Sequence, residues 1–291
     1  MGYKLKIVQT ASLLSEIFEL RMVGSDIEIN NVAASGDADR SSLTFASNIT
    51  KNQVAGLIIT SDSQTLKAAA EGITVLVSET PRLDFIKVLA YLESKVGFSK
   101  SNVKPDVHCS ASIGENVVIE NGCVIGPDVI IEHNVVLHEG TTIGRGSRIR
   151  ANSSIGGDGF GFERTDEGIP IRFPHLGGVV IGEDVEVGSN TCIARGTLSS
   201  TIIEDSVKID NLVHIAHNVT LKKGAFVIAG AEVSGGVTVG ESAWIGPNAC
   251  VIQKVNIGEG ALVGLGAVVT KNVDKYCVWA GNPAKKIRAI R

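Results

Sequence analysis

The chain has 291 residues, a formal net charge of -4 and 33 glycines. A slightly negative net charge gives no reason to expect a nucleic-acid partner. No apolar run is long enough to span a membrane. No secretory signal is visible, so a cytoplasmic location is expected, with the five cysteines as free thiols: Cys109, Cys123, Cys192, Cys250 and Cys277.

Residues 1–103 lack any regular period and alternate short apolar runs with helical stretches. Strand candidates lie at Gly56–Ile59 and Thr74–Val77, and a helical stretch runs from Arg82 to Ser94. This alternation predicts a small N-terminal α/β domain over residues 1–103.

From Val107 onwards, an aliphatic residue recurs at every sixth position. The runs extend from Val107 to Ile155, from Ile181 to Ile193 and from Ile203 to Val269, and Gly or Ala often follows the aliphatic residue. A six-residue period of this length predicts a left-handed parallel β-helix over residues 104–275, in which three hexads form one triangular coil. The fold class is therefore mainly β.

Residues 156–178 break the period and are predicted to form a loop inserted in the β-helix. The loop carries Asp158, Phe160 and Phe162. Because a protrusion from a uniform coil is more often functional than decorative, these three residues are predicted to bind substrate.

The last residues, 276–291, are predicted to be a short helical segment. Asn282 and Pro283 are typical of a helix start, and Lys285, Lys286 and Arg288 follow them.

The candidate catalytic residues leave the repeat outward. His217 stands two places after the core residue Ile215, and an exposed imidazole can act as a general base at neutral pH. Gly235 lies three hexads, or one full coil, after His217, so a bare amide near the base could stabilise an oxyanion. Asp210 is predicted to orient the imidazole, and His214 to contact substrate. None of this chemistry needs a metal or a tightly bound cofactor.

These motifs resemble a known family. The segments Ile209–Val219, Ile155–Phe162 and Arg195–Thr197 closely resemble the UDP-3-O-acylglucosamine N-acyltransferases of lipid A biosynthesis. The resemblance implies that His217 is the catalytic base, that Asp210 supports it and that Gly235 supplies the oxyanion amide.

The resemblance also implies where the nucleotide lies. Within Leu43–Asn48, Phe45 would stack on uracil and Asn48 would read its edge, although by residue type alone Phe45 is more often a core residue.

Proteins with this coiled architecture usually form trimers, so a homotrimer with ligand grooves between subunits is expected.

The acyl donor stays open between two thioesters. The segment Val278–Lys285 is similar to the ending of hexapeptide sugar acetyltransferases that use acyl-coenzyme A, and Asn282, Lys285 and Lys286 could then meet its phosphates. Lys254 stands where the lipid A enzymes commonly carry a second histidine. Basic residues in the last turn of a helix also stabilise the helix itself, so these lysines do not require a ligand to explain them.

The predicted function is N-acyl transfer from a thioester to the amine of a UDP- or dTDP-linked amino sugar, with His217 as general base. A short acyl-coenzyme A is the first candidate donor. The alternative is the lipid A reaction itself, in which an acyl carrier protein donates a hydroxyacyl chain to 3-O-acylated UDP-glucosamine.

A remote alternative is a zinc hydratase of the carbonic anhydrase type. His133 and His138 have the separation of a ligand pair in those enzymes, but a catalytic zinc needs three protein ligands. The third ligand of those enzymes would be a histidine about two coils earlier in the chain, near residue 97, and no histidine stands there.

Overall fold

The computed structural model describes residues 3–99 and 103–290. The chain forms two compact units. The first unit comprises residues 1–100 and 161–176, and the second comprises residues 101–160 and 177–291.

The first unit is built around a six-stranded mixed sheet. Its strands are β1 (Tyr3–Thr10), β2 (Arg21–Val23), β3 (Glu28–Val32), β4 (Ser42–Phe45), β5 (Leu57–Thr60) and β6 (Thr74–Val77). The order is β1-β3-β4-β5-β6-β2, with β3 to β6 parallel and the two edge strands antiparallel. Its central strands β4 and β5 are buried almost throughout, as expected for parallel strands covered on both faces.

The helices of the first unit are α1 (Ala11–Phe18), α2 (Thr65–Ala70) and α3 (Pro81–Tyr91), with a 3₁₀ turn at Asp62–Gln64 and a π-helical turn at Leu92–Val96. The prediction of a small α/β region is confirmed, with strands at β5 and β6, and the stretch predicted as helical from Arg82 to Ser94 falls within α3 and the π-helical turn.

The second unit is a left-handed parallel β-helix of short strands, which confirms the predicted fold class. Before the inserted segment they are β7 (Asp106–Val107), β8 (Ser112–Ile113), β9 (Val118–Ile119), β10 (Val124–Ile125), β11 (Ile130–Ile131), β12 (Val136–Leu137), β13 (Thr141–Ile143), β14 (Arg148–Ile149) and β15 (Ser154–Gly157). The segment itself holds β16 (Phe162–Arg164) and β17 (Pro170–Arg172), an antiparallel hairpin that belongs to the first unit.

The β-helix resumes after this hairpin. Its later strands are β18 (Val179–Ile181), β19 (Glu186–Val187), β20 (Cys192–Ala194), β21 (Thr201–Ile203), β22 (Lys208–Ile209), β23 (His214–Ile215), β24 (Thr220–Leu221), β25 (Phe226–Val227), β26 (Glu232–Val233), β27 (Thr238–Val239), β28 (Trp244–Ile245), β29 (Cys250–Val251), β30 (Asn256–Ile257), β31 (Leu262–Val263) and β32 (Val268–Val269). A terminal hairpin follows, formed by β33 (Cys277–Gly281) and β34 (Ala284–Ala289).

The strands of the β-helix form three flat parallel sheets. The first face contains β7, β10, β13, β18, β21, β24, β27 and β30; the second runs from β8 to β31 in the same way and ends in β33 and β34; the third contains β9, β12, β15, β20, β23, β26, β29 and β32. We call the turns that follow the strands of each face the first, second and third corners.

The core is a stack of aliphatic side chains inside the three faces. The second residue of each two-residue strand points inward, and Ile215, Val233 and Val251 of the third face are fully buried. The first residue of each strand points outward, because successive side chains of a strand lie on opposite faces. Each six-residue repeat therefore contributes one aliphatic side chain from its strand to the core.

Two departures from the regular coil of three hexads both occur at the third corner. Val124 pairs with Thr142, which lies one regular coil further along the chain. Thr142 then pairs with Val180, and Val180 pairs with Ile202, so both of these steps are longer than a regular coil. The first departure is the inserted segment after β15. The second is a short bulge after β20, formed within residues 195–200, which we call the corner bulge.

The predicted C-terminal helix is wrong, because residues 277–289 form the β33–β34 hairpin. Asn282 and Pro283 lie in its turn, joined by a cis peptide bond. β33 pairs with β31, whose free edge at the end of the second face offers unpaired backbone groups. The pairing of that edge overrides the local helix-start signal.

The described residues, 3–99 and 103–290, include no helix that is long and apolar enough to cross a membrane. All five cysteines are free thiols, as predicted, and Cys123 and Cys277 are buried.

Leu221→Ala should lower the free energy of unfolding of the β-helix by about 2–5 kcal/mol, because it leaves a cavity in the core. Leu221 is fully buried, whereas Leu265 is 79% exposed at a corner. Leu265→Ala is therefore the control and should change stability by less than about 0.5 kcal/mol. Urea unfolding measures both, and equal effects would contradict the assigned core.

Candidate active site

The candidate site lies along the third corner. Because β20, β23, β26 and β29 pair in register, their corner turns place Arg195, His217, Gly235 and Gln253 at the same position of successive coils. Neighbouring coils lie about 4.8 Å apart, as adjacent strands do. Residues separated in sequence by a full coil are thus direct neighbours along this edge.

His217 and Gly235 are in contact, as the register predicts. A methyl group built on the Gly235 Cα would lie 2.7 Å from Cε1 and 2.8 Å from Nε2 of the half-buried His217 ring. The imidazole therefore lies flat against the bare backbone of the next coil. Only glycine leaves room for the ring in this position.

The Gly235 N–H lies between two amides that join the ladder between coils. Its neighbours join the ladder between coils: Ser234 N–H donates to the Val251 carbonyl over 3.1 Å, and Gly236 N–H donates to the His217 carbonyl over 2.9 Å. Within the described residues, the Gly235 N–H takes no part in that ladder. A backbone donor beside a base can stabilise an oxyanion that forms during acyl transfer.

Asn218 holds the His217 ring. Its Oδ1 lies 3.0 Å from His217 Nδ1 and also accepts hydrogen bonds from Thr197 N–H, over 3.1 Å, and Thr197 Oγ1, over 2.9 Å. Its Nδ2 donates to the Ser199 carbonyl over 3.0 Å, so the amide cannot be reversed. Nδ1 must then be the protonated nitrogen of the neutral ring, which leaves Nε2 as the basic atom.

Sequence reasoning missed Asn218 and its clamp. Thr197 and Ser199 belong to the corner bulge, so the bulge supplies the groups that hold Asn218 against the imidazole. The interval between Ile193 and Ile203, which breaks the six-residue period, was the available signal.

Asp210 occupies a different corner from His217. It follows β22 at the second corner, and the whole of β23 separates the two residues. Its carboxylate accepts hydrogen bonds from Asn211 N–H over 2.7 Å and Ala229 N–H over 3.2 Å. The support of His217 by Asp210 stays a prediction, while Asn218 is the side chain found on Nδ1.

The other predicted substrate residues of the second unit are exposed. His214 points out from the third face, in register with Cys192 and Glu232. Asp158 follows the end of β15, and Phe160 is 87% exposed.

Phe162, Phe45 and Asn48 belong to the first unit. Phe162 opens β16, with the Arg172 guanidinium 4.7 Å from its ring centre. Phe45 ends β4 half-buried, its ring centre 4.8 Å from that of Phe85. Asn48 is exposed on the following loop, where its Oδ1 accepts a hydrogen bond from Lys67.

The two histidines of the zinc alternative lie at different corners. His133 follows β11 and accepts a hydrogen bond from Glu115 N–H over 2.8 Å. His138 follows β12, with Nδ1 3.2 Å from Glu120 and Nε2 3.3 Å from Ser154. A donated hydrogen bond from Glu139 N–H and the nearby His138 keep the pKa of Glu120 below its ordinary value. Residues 3–99 and 103–290 contain no group of three or more His, Cys, Asp or Glu side chains that could hold a metal ion.

The basic residues of the C-terminal segment are exposed on β34, the edge strand of the second face. Lys286 pairs with Asp274 over 3.1 Å, and the Cys277 sulfur together with that carboxylate raises the pKa of Lys286. Lys285 is its exposed neighbour, and Asn282 lies in the hairpin turn. Lys254 lies elsewhere, at the third corner, where its Cγ stacks above Gly236.

Comparison with known proteins first supports the fold. A family model described as bacterial transferase hexapeptide (six repeats) matches residues 122–157, and one described as hexapeptide repeat of succinyl-transferase matches residues 106–127 and 236–271. The solved UDP-N-acetylglucosamine acyltransferase of Francisella novicida superposes with a TM-score of 0.59 and 23% identity, covering 65% of this chain and 68% of that chain. LpxA of Acinetobacter baumannii superposes with a TM-score of 0.55 and 21% identity, covering 65% and 74%.

The fold is that of a hexapeptide-repeat acyltransferase. A protein of Coxiella burnetii named UDP-3-O-acylglucosamine N-acyltransferase is 32% identical over 241 residues, which cover 72% of this chain and 69% of that protein. Another of Francisella tularensis, named UDP-3-O-acylglucosamine N-acyltransferase 1, is 46% identical over 120 residues, or 41% and 35% of the two chains. This chain belongs to the UDP-3-O-acylglucosamine N-acyltransferase family and is an N-acyltransferase.

Gly235→Ala should lower kcat/KM for acyl transfer by about 100-fold, because the new methyl group displaces the imidazole from its position. Gly36→Ala is the control, since a methyl group at Gly36 meets no atom within 4 Å. Steady-state kinetics of both variants tests the contact. Wild-type activity in Gly235→Ala would show that the ring does not need this position.

Asn218→Asp should move the acidic limb of the pH profile of kcat/KM to higher pH, because a carboxylate on Nδ1 stabilises the protonated imidazole. Asn218→Ala should instead lower kcat/KM by about 100-fold at every pH, since the ring loses its orientation. Asn190→Asp is the matched control. Asn190 has the same left-handed turn conformation, with φ 56° against 59° for Asn218, but lies at the second corner. An unshifted profile in Asn218→Asp would contradict the contact.

Proposed function

We propose that this enzyme transfers an acyl chain from an acyl carrier protein thioester to the amine of UDP-3-O-acylglucosamine, as in lipid A synthesis. The observation that carries the proposal is the contact of His217 with Gly235 in a chain whose relative of that name matches 72% of its length. The sequence alone made a short acyl-coenzyme A the first candidate donor, but the named relatives favour the lipid A reaction.

The reaction begins with the deprotonation of the amine. His217 Nε2 takes a proton as the amine nitrogen attacks the thioester carbonyl carbon. Asn218 favours this step because it keeps the proton of the neutral ring on Nδ1. The imidazole is thus already in the tautomer that a base needs.

The tetrahedral intermediate carries its negative charge on the former carbonyl oxygen. The Gly235 N–H lies beside the base and would donate to that oxygen. Collapse of the intermediate breaks the carbon–sulfur bond, and the thiolate leaves with the proton that His217 received. The products are an amide and a free thiol, with no metal or redox step.

The nucleotide part of the acceptor is assigned to the first unit. Phe45 would stack on the base with one ring face, while Phe85 backs it, and Asn48 would read the edge of the base. The inserted segment with Asp158, Phe160 and Phe162 would contact the sugar or its acyl chain.

A short acyl-coenzyme A is the second candidate donor. It is favoured by Lys285, Lys286 and Arg288, which β34 presents as an exposed basic strand. Lysines on an edge strand also discourage pairing with a further strand, so the same residues have a structural explanation.

We further propose that the protein forms a homotrimer. The first face presents a row of outward side chains in register, with Thr142 between Val124 and Val180: Val124 is 41%, Val180 40% and Ile202 38% exposed. Burial of this stripe against another subunit would stabilise the assembly, at about 25 cal/mol for each Å² of apolar surface.

Thiol release from 3-hydroxyacyl carrier proteins and from acetyl- and 3-hydroxyacyl-coenzyme A tests the donor. The acceptors are UDP-3-O-acylglucosamine, UDP-glucosamine and a dTDP-amino sugar. We expect turnover with the carrier-bound donor and UDP-3-O-acylglucosamine. Turnover only with a short coenzyme A thioester would make this enzyme a tailoring acyltransferase and contradict the proposal.

His217→Ala should lower kcat by about 100- to 10,000-fold in the same assay, the usual contribution of a general base. His108→Ala is the control, because His108 is exposed at the first corner and bonds to Ser110. Full activity in His217→Ala would remove the general-base assignment and leave proton transfer to the substrate itself.

A further inference from the structure

The loop after β4 contains a hydrogen bond that acyl transfer does not use. Lys67, on α2, donates from Nζ to Asn48 Oδ1 over 2.8 Å. An ammonium group has donors and no acceptor, so only the carbonyl oxygen of the Asn48 amide can face it. The amide is therefore oriented, with Oδ1 towards Lys67 and Nδ2 directed away from it.

Side chains at the start of α2 form hydrogen bonds with two successive residues of this loop, Asn48 and Ile49. Gln64, just before α2, accepts a hydrogen bond from Ile49 N–H at Oε1 over 3.1 Å. Lys67 follows three residues later and so lies on the same side of the helix as Gln64. Before Asn48 in sequence, the Ala46 carbonyl accepts a hydrogen bond from Thr60 Oγ1 over 2.7 Å. Asn48 is thus presented by a segment that is fixed on both sides.

The same loop carries an aromatic ring and the oriented amide. Phe45 opens the loop with a half-buried aromatic ring, and Asn48 is exposed three residues later. Lys67 also borders a cavity of about 280 Å³, which is lined by Ile49, Thr50, Lys51, Lys67, Ala70 and Glu71. Proteins commonly stack a base on an aromatic ring and read its edge with a polar side chain, and this loop carries both within four residues.

We propose that Lys67 is a specificity-determining residue, which makes Asn48 a reader of uracil or thymine and not of cytosine. This inference rests on the proposed function, in which Phe45 and Asn48 hold the nucleotide base. Lys67 uses one lone pair of Oδ1, so the amide still offers the other lone pair and its N–H donors.

The two classes of pyrimidine differ at the edge that such an amide reads. Uracil and thymine present an O4 acceptor beside an N3–H donor, which match the Nδ2 donor and the Oδ1 acceptor of Asn48. Cytosine presents an N4 donor beside an N3 acceptor, which requires a reversed amide. Reversal would place the N–H groups of Asn48 against the Lys67 ammonium, so Lys67 opposes it.

Calorimetric titration of the full chain with UDP, dTDP and CDP tests the inference without any acyl transfer. We expect UDP and dTDP to bind at least about 10-fold more tightly than CDP, since the wrong base leaves buried donors and acceptors unpaired. Lys67→Met keeps the length of the side chain but removes the donor, so the UDP to CDP ratio should fall to within about threefold. In Lys67→Glu the carboxylate accepts from Nδ2, which should move the preference towards CDP.

The affinity ratio is the readout because loss of a positive charge weakens all diphosphates alike. Lys95→Met removes an exposed lysine elsewhere in the first unit and should leave the ratio unchanged. An unchanged ratio in Lys67→Met, or equal binding of UDP and CDP by the wild type, would overturn the inference. Wild-type protein that binds none of the three would overturn it together with the nucleotide site, whereas selective binding without acyl transfer would count against the proposed reaction alone.

Discussion

The hydrogen-bond ladder between successive coils sets the position of every functional group in the β-helix. Ile215 pairs with Val233 and Val233 with Val251, so residues one coil apart stack directly. The inward aliphatic residues keep this register, because a slip by one residue would turn the core to solvent. His217 and Gly235 are therefore in contact because the ladder places them one coil apart at the same corner.

The ladder also determines where the chain can depart from regularity. Extra residues within a strand would break the pairing on both sides, whereas extra residues at a corner leave it intact. Both insertions of this chain lie at the third corner, after β15 and after β20. The corner bulge brings Thr197 and Ser199 around Asn218, and so fixes the side chain that orients the imidazole.

The part of this structure that could be predicted from sequence is the part that depends on local periodicity. His217 and Gly235 were found together because counting one coil is enough to place them in contact. Asn218 was missed because its partners come from a break in the period. Asp210 is seven residues before His217 in sequence, but the strand β23 separates their corners, so its support of the imidazole stays a prediction. The helix expected at Asn282 failed because the free edge of β31, a tertiary feature, takes up that segment.

The corner bulge has an evolutionary consequence. Its residues contact the imidazole through Asn218, yet the aliphatic stack beneath them, including Ile193 and Ile215, follows the ordinary pattern. Lengthening or shortening a single turn can therefore change the setting of a base without repacking the interior. A scaffold that separates its chemistry from its stability in this way can accept small insertions at one edge without a change in its core.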